Sequence, residues 1–317
     1  MADKPVGVTL GDPSGVGPEI TAKLLLDTDF IKKFPFIPIG KRSILDDTFR
    51  LILKTDPPPY PIIETLSPIT VAIRYGVSSA EYGELSMSFI RTGVDAALSG
   101  SISAIVTAPI NKHSVSLAGY PFAGHTEYLG YLTGSTDFSM MLVSPHYRVI
   151  TATTHIPIKI VAESITQDII LRAIKNAHKA GALFGISSPI VAVCALNPHA
   201  GDGGVIGDEE ELIIEPAIKT AQAEGIDARG AFPADSLFTC PNTFDFAVSI
   251  YHDQGLIPIK MDGFGSAVNV TLNLPIIRTS VDHGTAFDIA GKGLASPASL
   301  RSAVILAHKI AGRAICL

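Results

Sequence analysis

The chain has 317 residues, 47% of them hydrophobic, enough to bury a large core as one extended unit or two lobes, which excludes a disordered chain or a small disulfide-stapled one. Its 24 Lys+Arg against 30 Asp+Glu give a formal charge of -6, and without a long basic run to neutralise a phosphate backbone, nucleic acid is not an expected partner. Cys194, Cys240 and Cys316 are widely separated and form neither a CxxC pair nor an even-numbered framework, so reduced thiols in a cytoplasmic protein are expected.

From the start, MADKPVGVTL passes from a few polar residues straight into a strand-like run, without a secretory apolar region. The first predicted strand, residues 6–10, leads into GDPSGVGPEI at 11–20, where Pro18 suits the first turn of a helix. Glycines let a backbone approach a ligand, but the spacing at Gly11, Gly15 and Gly17 is not the Rossmann GxGxxG. A tight strand-to-helix turn and a ligand-contacting loop both fit. Residues 56–61 are Pro-rich and read as a turn between elements. The next strands are 104–107, 148–153, 190–194 and 246–250, short β-branched runs separated by helical periodicity, the pattern of an α/β fold with parallel strands. A representative helix spans 166–185, with Ile169, Ile170, Ala173, Ile174, Ala177, Ala180 and Gly181 on one face and Asp168, Arg172, Lys175 and Lys179 on the other. The most apolar stretches, 102–110 and 189–196, fall well short of the ~20 residues that span a bilayer, so no membrane segment is expected.

Four histidines sit beside strand-like sequence in polar settings. His125 adjoins Thr126 in GHTEYL, and His155, His199 and His252 follow the strands at 148–153, 190–194 and 246–250. Loops at strand ends are where α/β sheets assemble sites, and three imidazoles with an open fourth position are a common way to hold a catalytic divalent ion. Unrelated loop histidines are the alternative. His113, His146, His178 and His308 have contexts that suit structural or solvated side chains. The stretch 260–293 sets Lys260, Asn269 and Arg278 among apolar strand residues. A cation there needs an anion or water: a ligand phosphate or carboxylate, or an internal pair with Asp253, Asp262 or Asp282.

Eight motifs in order carry a resemblance over nearly the whole chain: GDPSGVGPEI (11–20), TAPINK (107–112), GHTEYL (124–129), TTHIPI (153–158), LNPHAGDGG (196–204), PADSLF (233–238), YHDQGLIPIK (251–260) and VNVTLNLPIIRTSVDHGTAFDIAGKG (268–293). Together they resemble the 4-hydroxythreonine-4-phosphate dehydrogenase family. One departure is Ser236 where the family form has threonine, a change that keeps the hydroxyl.

The resemblance implies an α/β fold shared with isocitrate and isopropylmalate dehydrogenases: two interleaved lobes, near 1–120 plus 256–317 and 121–255, with the active site in the cleft between them. It implies that His155, His199 and His252 bind one divalent metal (Zn, Co or Mg) and that His125, Thr126, Lys260, Asn269 and Arg278 bind substrate. His283, Gly284, Thr285, Asp288 and Gly291 match the loop that holds the adenosine half of NAD or NADP in the isocitrate-type enzymes. Asp235 and Asp253 are candidates for proton transfer or for orienting a metal-bound histidine. The implied reaction is NAD(P)-linked oxidation of 4-phosphooxy-L-threonine followed by decarboxylation to 3-amino-2-oxopropyl phosphate, in pyridoxal 5'-phosphate (vitamin B6) biosynthesis. The implied assembly is a homodimer with active sites at the subunit interface. Oxidation of 4-phospho-D-threonate or 4-phospho-D-erythronate is the nearest alternative; a three-histidine metal hydrolase and a non-catalytic phosphate-binding module are remoter ones.

Overall fold

The structure, a computed structural model, describes residues 4–122 and 124–314. Cys316 lies outside the described residues. The strands are β1 (Val6–Thr9), β2 (Phe36–Gly40), β3 (Ile63–Glu64), β4 (Ile105–Thr107), β5 (Ser139–Val143), β6 (Arg148–Thr151), β7 (Val191–Cys194), β8 (Ala228–Phe232), β9 (Phe246–Ser249), β10 (Val268–Leu272) and β11 (Arg278–Val281). The described residues form two compact, interleaved units: 4–138 and 274–314 contribute the first, 139–273 the second.

In the first unit the strand order is β3-β2-β1-β4-β11, every pair parallel. β1 and β4 are buried along their whole length, which explains why they read in sequence as continuous apolar runs rather than alternating ones. Helix Ala80–Leu98, capped by Ser79 Oγ accepting from the Tyr82 N–H at 3.2 Å, contributes Met87, Ile90 and Val94 to a core completed by Ile105, Val115, Tyr128, Leu129 and Ile276. Gly83 in this helix lies against helix Lys112–Leu117 so closely that a Cβ would sit 2.0 Å from the Ser114 carbonyl oxygen. Glycine-to-alanine in a helix interior ordinarily stabilises by up to about 1 kcal/mol. Here the backbone clash reverses the sign, and Gly83→Ala is expected to destabilise by about 1–3 kcal/mol in denaturant titration.

In the second unit the order is β10-β5-β6-β9-β7-β8. β10, β5 and β6 form an antiparallel meander, and β6, β9, β7 and β8 run parallel. Helix Gln167–Phe184 has the ends read from sequence, with Thr166 Oγ1 accepting from Ile169 N–H at 3.3 Å and Gly185 in the left-handed region (φ 70°). On its inner face buried Asn176 donates to Ser139 Oγ at 2.6 Å and accepts from Asn273 Nδ2 at 2.9 Å, tying together the first and last residues of the unit.

The division falls after 138 and 273, not after 120 and 255. Helix His125–Thr133 buries Tyr128 and Leu129 in the first unit's core, and β10 bonds to β5, which keeps helix His252–Asp262 and the strand after it in the second unit. Among the described residues no helix is long and apolar enough to cross a membrane.

Candidate active site

The sequence candidates fall into two groups, one in each unit, and many of them lie in loops that follow parallel strands, where open α/β sheets place ligands. In the first unit the loops after β1, β4 and β11 meet. Asp12 N–H donates to the Pro109 carbonyl at 2.9 Å and Val16 N–H to the Thr285 carbonyl at 3.0 Å, so the 11–17 motif lies directly against the expected dinucleotide loop. Gly11 has φ 68°, and a Cβ there would come within 2.3 Å of the Pro109 oxygen: only glycine closes this turn. Asp12 is buried, and its Oδ1 accepts from both Ser14 N–H (2.8 Å) and Ser14 Oγ (2.7 Å) while burial pushes its pKa up. In the facing loop His283 Nδ1 lies 2.9 Å from the Gly284 oxygen; Gly284 and Asp288 are exposed, and Gly291 is left-handed at φ 76°.

The same unit holds an anion-seeking corner. Arg278 is 3% exposed and donates from Nε and Nη2 to Thr107 Oγ1 at 3.1 and 2.7 Å, and burial lowers its pKa to about 9. His125 begins helix His125–Thr133, with half-buried Thr126 next to it. Its Nε2 is shut off from solvent without a hydrogen-bond partner, and burial, reinforced by the Arg278 charge, holds its pKa well below the usual histidine value. A neutral imidazole, a guanidinium and free N–H groups of a helix N-terminus together suit a phosphate or carboxylate.

In the second unit His155 follows β6, His252 follows β9, Asp235 follows β8 and His199 follows β7. Thr153 N–H and Oγ1 both donate to the Ile250 carbonyl, at 3.1 and 2.7 Å, locking the His155 turn to the His252 turn. The two rings lie 5.7 Å apart, centroid to centroid. Two imidazoles on one tetrahedral ion at the usual Zn–N distance of ~2.0–2.1 Å have centroids about 5 Å apart, so this pair fits a shared cation in donor chemistry and spacing. His252 Nδ1 lies 2.7 Å from Asp253 Oδ1, which presents Nε2 as the free donor.

His199 does not join them: among the described residues no group of three His, Cys, Asp or Glu side chains is arranged to hold an ion. It sits on its own turn, exposed, with φ 53°, the first of six consecutive left-handed residues through Gly204. For non-glycine residues this conformation costs roughly 1–2 kcal/mol each. The resemblance implies a metal site at a subunit interface, and within one chain the structure brings two of its three histidines together, His155 and His252.

Asp253 borders three clefts: one of about 540 Å³ with Asp235, Tyr147 and Tyr251, a second of about 540 Å³ with His252 and Lys260, and one of about 280 Å³ with His155 and His252. Lys260 is exposed in the last turn of its helix, and Asn269 on β10 has its Oδ1 buried without a partner. The internal ion pairs do not form as the alternative required. Asp253 engages His252, Asp262 engages His146, and Asp282 accepts from Ser299. Two residues of this neighbourhood went unread in sequence: Gln254, which bridges Ile250 N–H and the Ala195 carbonyl at 2.7 Å each, and buried Glu210, which accepts from Leu196 and Asn197 N–H. Glutamine in YHDQG was the available signal for the first; nothing marked Glu210 within its acidic run.

Comparison with known proteins bears on the whole chain. The family described as "Pyridoxal phosphate biosynthetic protein PdxA" matches residues 33–307. A 4-hydroxythreonine-4-phosphate dehydrogenase of Chromobacterium violaceum is 40% identical over 99% of both chains. A D-threonate 4-phosphate dehydrogenase of Cupriavidus necator is 39% identical over 97% of both. The crystal structure of a 4-hydroxythreonine-4-phosphate dehydrogenase from Klebsiella pneumoniae superposes with a TM-score of 0.88 at 37% identity, covering 98% of this chain and 100% of that one. With its α/β architecture and end-to-end similarity, the chain belongs to the PdxA family of dehydrogenases.

Proposed function

We propose that the protein oxidises 4-phosphooxy-L-threonine and decarboxylates the product to 3-amino-2-oxopropyl phosphate, in the cytoplasmic synthesis of vitamin B6. The observation that carries this reading beyond the family is the His155–His252 pair, with Asp253 holding one ring by Nδ1. In this reading His155, His252 and His199 hold a divalent ion, the set being completed across the interface of a homodimer. The apolar face of helix His252–Asp262 and the residues after it supports that assembly: Ile257, Met261 and Phe264 are 59%, 81% and 93% exposed beside the candidate site. Bound there, zinc, cobalt or magnesium supplies Lewis-acid polarisation of the substrate hydroxyl, and NAD or NADP, held by His283, Gly284, Thr285, Asp288 and Gly291, supplies the hydride acceptor.

The chain's own groups do the rest. Arg278, steadied by Thr107, and Lys260 direct positive charge to the substrate's phosphate and carboxylate, with Asn269 Oδ1 free to accept from a polar group. His125, kept neutral, and Thr126 orient the substrate by hydrogen bonds without adding charge. Asp253 orients His252, and Asp235, exposed in the cleft they share, is placed for proton transfer.

The relative from Cupriavidus necator favours a second reading, oxidation of 4-phospho-D-threonate, with 4-phospho-D-erythronate as its companion. Formation of NAD(P)H by metal-replete protein with each of the three compounds, with and without chelator, separates them. Turnover of 4-phosphooxy-L-threonine alone, abolished by chelator, is expected. Preference for a phosphorylated sugar acid transfers the protein to the second reading, and no turnover of any overturns both.

A further inference from the structure

The run from His199 to Gly204 has φ values of 53, 55, 77, 47, 65 and 88°, a left-handed helical turn in which three residues are not glycine. Such a run persists only where its surroundings over-determine it, and outliers of this kind cluster at sites that need a fixed side chain. Here, besides the turn's own backbone bonds, one carboxylate anchors it. Glu210, 4% exposed at the start of the helical turn Glu210–Ile214, accepts from Leu196 N–H (2.8 Å) and Asn197 N–H (2.7 Å) through Oε1, and from Asn197 Nδ2 (2.9 Å) through Oε2. Asn197 Nδ2 also donates to Glu209 at 2.7 Å. On the far side of the turn, Gly201 packs so tightly that a Cβ would stand 2.8 Å from Glu210 Oε2 and 2.7 Å from the Gly207 oxygen. The turn is thus gripped where it begins and at its middle by the same side chain.

We infer that Glu210 is a positioning residue: it locks the left-handed turn and so fixes His199 for a divalent cation. This rests on the reading of His199 as a ligand in the proposed function. Glu210 itself sits behind the turn, bonded to backbone and to Asn197, and touches no substrate. Its negative charge is spread over three N–H donors, which is how a buried carboxylate remains tolerable and why an apolar replacement leaves those donors unmade.

The test uses the full-length protein, freed of metal and titrated with Co2+ by visible absorption, alongside amide hydrogen exchange of the segment 196–206. Glu210→Ala is expected to raise the Co2+ Kd about 10- to 100-fold, the usual cost of losing an outer-shell partner, to speed exchange in 196–206 at least about tenfold, and to leave NADH affinity unchanged. Glu210→Gln keeps an oxygen for the Leu196 and Asn197 N–H groups and is expected to stay within about threefold of wild type. Asn197→Ala, which retains those two bonds, falls between and serves if Glu210→Ala does not fold. Wild-type Co2+ affinity or unaltered local exchange in Glu210→Ala overturns the inference, as does a Glu210→Gln variant as impaired as the alanine one. His199→Ala separates the two levels: unchanged Co2+ affinity there overturns the ligand reading itself, whereas a loss there with none in Glu210→Ala overturns only the positioning role.

Discussion

Replacing His252 by alanine is expected to lower kcat/KM by about 10³-fold or more and to weaken Co2+ binding in parallel, with the melting temperature nearly unchanged. The first magnitude follows from the several kcal/mol that Lewis-acid polarisation supplies, at 1.36 kcal/mol per decade of rate. The second follows from His252 being half of the His155–His252 pair, whose rings lie 5.7 Å apart. Thermal stability is spared because the side chain is 36% exposed and its hydrogen bond to Asp253 is at the surface, where substitutions ordinarily stay within about 0.5 kcal/mol. Asp253→Asn is the graded control. It keeps an acceptor oxygen for Nδ1 but removes the charge, so a loss of at most about 10- to 100-fold is expected. A His252→Ala enzyme within tenfold of wild type in kcat/KM would take His252 out of the site.

Arg278→Met should separate activity from stability. Burying a guanidinium is costly, and here the cost appears as a pKa brought down to about 9. Because the folded-state value lies below that of a free guanidinium, the folded protein gives up this proton first as pH rises. The penalty is therefore present in full below about pH 9 and is relieved as pH rises above it. Methionine of similar length removes the charge and spares most of the packing, so the melting temperature is expected to hold or rise. Truncating one side of a buried charged contact costs about 2–5 kcal/mol of binding, so kcat/KM is expected to fall at least about 10²-fold, mainly through KM. Arg278→Lys should recover only part of it, since an ammonium cannot reproduce the fork to Thr107. A variant that loses stability but keeps KM would make Arg278 a structural residue.

The parts of the fold legible in sequence were those with a strong local signal. The strands at 6–9, 105–107, 148–151, 191–194 and 246–249 are fully or nearly fully buried, so each is dominated by small, apolar and β-branched residues. β8 (ARGAF) is largely exposed and β3 has only two residues, and neither has a composition that distinguishes it from loop. Helix Gln167–Phe184 was readable because capping threonine, amphipathic face and terminal glycine all agree. Helix His252–Asp262 contains Pro258 and buries only Gly255 and Ile259, so periodicity could not find it. The chemistry-bearing histidines were visible as residue types after apolar runs, but their grouping was not. That His155 meets His252 depends on β6 lying beside β9, and that His199 stands apart depends on a backbone conformation that no residue in NPHAGD announces. Glu210 was hidden for a related reason: in an acidic run the one buried carboxylate looks like its solvated neighbours.

The interleaved path of the chain also sets an order of assembly during synthesis. All six strands of the second unit lie between residues 139 and 272, so they are available together once that stretch has left the ribosome. Asn176 can then join the stretch's two ends, Ser139 and Asn273. The first unit, begun earlier, must wait: β4 lacks its neighbour until β11 emerges at 278–281, and helix Ala298–Ala314 comes later still. A nascent chain stopped near residue 273 therefore holds a complete strand set in its younger half and an unpaired parallel edge in its older half, the kind of surface that chaperones shield.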